Sequence, residues 1–141
     1  QTQSQNIPEP TLVKNMNENI LIGNMDLKIT EVYFISVIEN PYVVQIHLEL
    51  ENKGDAVMYV NKDNFELIDE KGNLWKFNSF FTTPDDPTED VYEIEKILPN
   101  EKIIAMLHGS TGWTEGNILK LSHDNANVFV KLERCFVYGY R

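Results

Sequence analysis

One periodicity dominates this chain and limits what it can fold into. In residues 44–51, VQIHLELE, the apolar Val44, Ile46, Leu48 and Leu50 alternate with Gln45, His47, Glu49 and Glu51. Strict alternation sends every second side chain to one face, the pattern of a half-buried strand in an antiparallel sheet. A period of 3.6 is almost absent; NKDN at 61–64 suits a single helical turn. The segments LKI at 27–29 and VYFISVI at 32–38 read as one long strand that changes face near Thr30 and Glu31. Such a change marks a bulge or a crossing between sheets.

Further strands are predicted at about 57–61, 64–69, 74–78, 91–97, 102–108, 117–122 and 127–138. Turn signals separate them: Asn52-Lys53-Gly54-Asp55, Lys71-Gly72-Asn73, Pro99-Asn100 and Asp124-Asn125. Residues 78–90, NSFFTTPDDPTED, read as the one long irregular piece. Short strands at such spacing predict an all-β, immunoglobulin-like antiparallel β-sandwich of about seven to nine strands, with little or no helix. A length of 141 residues suits one domain. The polar opening QTQSQNIPEP predicts a flexible leader or tether over 1–19, with the sandwich over 20–141.

The stretch NFELIDEKGNLW, residues 64–75, poses a choice between a metal loop and a hairpin turn. A calcium loop needs side-chain oxygens at alternating positions, a glycine at the sixth and a distal glutamate. Here Lys71 stands where a ligand belongs. A tight turn needs only a glycine able to take positive φ between two alternating strands. The turn is the expectation.

These punctuation marks carry a resemblance. Val44, Ile46, Leu48, Leu50, Asn52 and Gly54, then Phe65, Leu67, Asp69, Gly72 and Trp75, then Leu98, Pro99 and Glu101 fall in one order and spacing. The pattern resembles a bacterial domain-of-unknown-function family with an immunoglobulin-like fold. That family occurs in surface lipoproteins and secreted proteins, and is sometimes labelled after a telomeric repeat-binding factor. The resemblance implies an extracellular or cell-surface, lipid-anchored setting, and it brings no catalytic residues.

The net charge of −10 and the singly scattered Lys and Arg argue against nucleic acid, whose binders carry basic patches. No apolar run reaches the ~18–20 residues of a membrane span. The single cysteine, Cys135, excludes an internal disulfide and reads as a buried, inert thiol. Ser110-Thr111-Gly112 lacks the glycine elbow and a placed acid–histidine pair, so no enzyme is expected. His47, His108 and His123 share no local metal-ligand spacing. A copper site assembled across strands, with Met58 or Met106 as soft ligand, stays open.

Two candidate sites remain. Asp85, Asp86, Glu89 and Asp90 form an acidic run that reads as a solvated loop or as weak Ca²⁺ ligands. Phe80, Phe81 and Trp113 fall in or beside loops, where an aromatic packs inward or serves a protein partner or a sugar ring. The expected function is a non-enzymatic extracellular module with no obligate cofactor, engaging a protein or cell-envelope partner. A Ca²⁺ or glycan module and a plain spacer are the alternatives.

Overall fold

The computed structural model describes residues 13–37, 40–110, 116–133 and 135–138. Alternating segments become strands wherever their apolar halves share a core, and thirteen form among the described residues. In chain order they are β1 (Val13–Asn15), β2 (Ile20–Ile22), β3 (Met25–Val37), β4 (Asn40–Asn52), β5 (Met58–Tyr59), β6 (Phe65–Asp69) and β7 (Leu74–Lys76). Then come β8 (Ser79–Thr82), β9 (Lys96–Ile97), β10 (Lys102–Ser110), β11 (Gly116–His123), β12 (Ala126–Lys131) and β13 (Cys135–Tyr138). A 3₁₀ turn at Lys62–Asn64, capped by the Asn61 side chain, is the single helical element among the described residues.

One sheet has the order β1-β12-β11-β6-β7. The other runs β13-β3-β4-β10-β8, with β2 also on β3, and β5-β9 form a separate ribbon. The inward residues of both sheets meet in one core: Leu27, Ile29, Phe34, Ile46, Leu48 and Leu107 from one, Phe65, Leu67, Leu119, Leu121 and Val130 from the other. Phe65 and Phe80 join the sheets with ring centroids 5.0 Å apart. The molecule is an all-β sandwich.

The change of face in β3 is a bulge. Its register against β4 slips between Ile29 and Glu31. Burial passes from Met25, Leu27 and Ile29 to Val32 and Phe34. Thr30 Oγ1 donates to the His47 carbonyl at 3.1 Å, steadying the slip.

Five expectations need correction. Val13–Asn15, assigned to the leader, pairs in parallel with β12, because Val13 aligns with Phe129 at the sheet edge. A second parallel pair, β13 on β3, means the sandwich is not purely antiparallel. The single strand over 127–138 is two strands in different sheets; buried Leu132 lies in the crossing between them. Ser79–Thr82 is a strand rather than loop, because Phe80 and Thr82 face inward while β10 pairs alongside. The short pieces β1, β2, β8 and β13 take the strand number above seven to nine.

Candidate functional site

Asp69 settles the question posed by the 64–75 stretch. Its carboxylate is buried and accepts from the Lys71 N–H at 2.8 Å, the Asn73 N–H at 2.9 Å, the Asn73 amide at 3.2 Å and the Trp75 indole at 2.9 Å. Gly72 supplies the positive φ of 87°. Burial raises the Asp69 pKa most, yet the Trp75, Asn73 and Lys71 donors together outweigh it and hold it at about 2. Both carboxylate oxygens are spent on the turn, so this is a hairpin and its acid is structural.

Asn52 plays a similar part at the end of β4. Buried to 1% exposure, it donates to the Ala56 and Ile97 carbonyls at 2.8 and 3.0 Å and accepts from the Gly54 N–H at 2.9 Å. Glu101 closes the next turn by accepting from the Leu98 N–H at 2.8 Å. The punctuation residues of the sequence are thus turn locks rather than reactive groups.

Chemistry gathers instead on the loop between β8 and β9. A groove of about 660 Å³ opens between residues 82–92 and the start of β10, within the size range of ligand sites. Its wall carries five carboxylates, Asp85, Asp86, Glu89, Asp90 and Glu101, against one cation, Lys102, whose ammonium pairs with Glu49 at 3.6 Å; Pro84, Tyr92, Ile103 and Ile104 supply apolar surface. The loop is strapped at both ends. Thr83 N–H donates to the Ile104 carbonyl at 2.8 Å, Thr82 N–H to the Tyr92 carbonyl at 3.0 Å, and Ile94 N–H to the Phe80 carbonyl at 2.9 Å. Within it, Asp86 Oδ1 accepts from Thr88 N–H at 2.9 Å and Thr88 Oγ1 at 2.7 Å. Those Thr88 bonds hold the Asp86 carboxyl below the usual range. The Tyr92 phenol is pushed up, by burial first and then by the negative charges of Glu101 and Glu89. The groove therefore has a negative field, and a preorganised frame holds it.

No family model and no curated protein matches the chain. Solved structures do. The yjhA protein from Bacillus subtilis superposes with a TM-score of 0.59 at 14% identity, covering 85% of this chain and 99% of its own. An uncharacterised β-sandwich protein from Clostridium difficile 630 gives 0.59 at 16% identity, covering 92% and 100%. This chain has their fold. At such identity the likeness carries architecture and nothing about ligands.

The residues singled out in the sequence divide unevenly. Asp85, Asp86, Glu89 and Asp90 do come together on the groove. Among the described residues, no three His, Cys, Asp or Glu side chains gather as a metal-holding group. Phe80 is fully buried against Phe65, which rules it out as a contact residue for a partner. Phe81 faces the opposite side of β8, half-buried. Trp113 and the Cys135 side chain lie outside the described residues. Sequence reading missed Tyr92, 48% exposed on the groove, and its neighbour Val91, 63% exposed. Their signal, an aromatic and an apolar residue closing an acidic run, is present in the sequence but there marks the start of the strand predicted at about 91–97.

Proposed function

We propose that this domain is a non-enzymatic binding module of a bacterial secreted protein or surface lipoprotein, and that its partner offers a basic, extended segment. The groove carries the reading. Five carboxylates around an apolar, Tyr92-bearing surface complement a chain with Lys or Arg heads and aliphatic stems. The strapped loop reduces the ordering cost of binding. The cell-surface setting rests on the sequence resemblance to lipoprotein domains.

Titration of a fluorescent lysine-rich peptide, followed by anisotropy at low and high salt, tests the proposal. Saturable binding that weakens with salt, and is lost in Glu89→Gln/Asp90→Asn but kept in Asp63→Asn, which does not line the groove, is the expected result. Equal binding by all three proteins, or none by any, would refute it.

A further inference from the structure

The outer face of the six-stranded sheet brings together residues that sequence spacing keeps apart. β4 and β10 pair antiparallel, with His47 opposite Met106 and Gln45 opposite His108. Side chains two apart on a strand share a face, so His47, Met106 and His108 project to one side. That side is away from the core, since the intervening Ile46, Ala105 and Leu107 are all buried. Directly paired residues stand about 5 Å apart at Cβ and diagonal ones about 7 Å. Two imidazoles and a thioether are thus within reach of one ion.

The surroundings suit a soft ion. All three side chains are half-buried. The Tyr33 ring lies edge-on to His47 with centroids 5.7 Å apart, and Phe81 stands opposite Met106 from β8. Tyr33 is itself held by its hydroxyl donating to Glu31 at 2.9 Å. Among the described residues no hydrogen-bond partner occupies either imidazole. Imidazole with thioether favours Cu(I), whereas hard cations need carboxylate and carbonyl oxygens.

The geometry points to a Cu(I) site formed by His47, Met106 and His108 on the open face of the sheet. It is separate from the acidic groove in ligand class. The sequence leaves a cross-strand copper site open between Met58 and Met106; the β4–β10 register selects Met106 and names its two histidines.

The test is an anaerobic titration of Cu(I) against a bicinchoninate competitor, using the full chain in a Cys135→Ser background that removes its single thiol. One Cu(I) per chain is expected, with nitrogen and sulfur neighbours in its X-ray absorption spectrum. Met106→Leu and His108→Asn should each weaken binding at least about tenfold, and His123→Asn, in the other sheet, should leave it unchanged. Failure to take Cu(I) from the competitor would overturn the site. So would binding indifferent to Met106→Leu, or an absorption spectrum without sulfur. The spectrum of the unsubstituted site keeps the test decisive if a variant folds poorly.

Discussion

At the scale of single residues, stability is concentrated in a few buried polar groups. Asp69 shows the sign most clearly. Its pKa falls from 3.8 to about 2 on folding, so its stabilisation is complete above pH ~4 and is lost as pH drops through the folded value. One unit is about 1.36 kcal/mol, which makes the contribution about 2 kcal/mol. Urea unfolding of the native protein should therefore weaken between pH ~4 and ~2. Asp69→Asn should flatten that part of the profile and lower neutral-pH stability by about 2 kcal/mol, because an amide meets the Asn73, Lys71 and Trp75 donors with a donor of its own. An unchanged acid profile in the variant would contradict the assignment. Asn52 makes a parallel case. Asn52→Leu leaves the Gly54 N–H and the Ala56 and Ile97 carbonyls without this partner, and should cost about 2–3 kcal/mol in chemical denaturation.

At the scale of elements, the two faces of β8 offer a direct comparison. Phe80 is fully buried between the sheets, and Phe81 is half-buried on the outer face. Phe80→Ala should cost roughly 3–5 kcal/mol through lost burial and the cavity left behind. Phe81→Ala should cost clearly less, and thermal unfolding of the pair checks the order. This strand also shows where sequence reading stops. In β4, eight alternating residues fix both strand and face without help. The β3 bulge was equally plain, because Ile29 and Val32 break a long alternation. In β8 only four residues alternate, and the Phe80-Phe81 doublet masks the period while the following prolines suggest loop. Strand assignment there depends on β10 alongside, which is a tertiary fact. The crossing at Leu132 was hidden for the opposite reason, since apolar residues on both sides of it read as one strand. The acidic residues of the groove were visible in sequence. Their convergence with Tyr92 and Ile103 was not, because β10 brings in its residues from a distant part of the chain.

At the scale of the whole molecule, the net charge of −10 sets a long-range preference for cationic partners. In the proposed function, that preference acts at the groove between residues 82–92 and β10. Exposed charges are screened within about 10 Å at moderate salt, so association with a basic segment should slow markedly as salt rises. The most direct measurement is an amide chemical-shift map of the ¹⁵N-labelled domain as a lysine-rich peptide is added. The account predicts that shifts concentrate in residues 83–92 and 101–104. Shifts confined to another face, or none at saturating peptide, would contradict it.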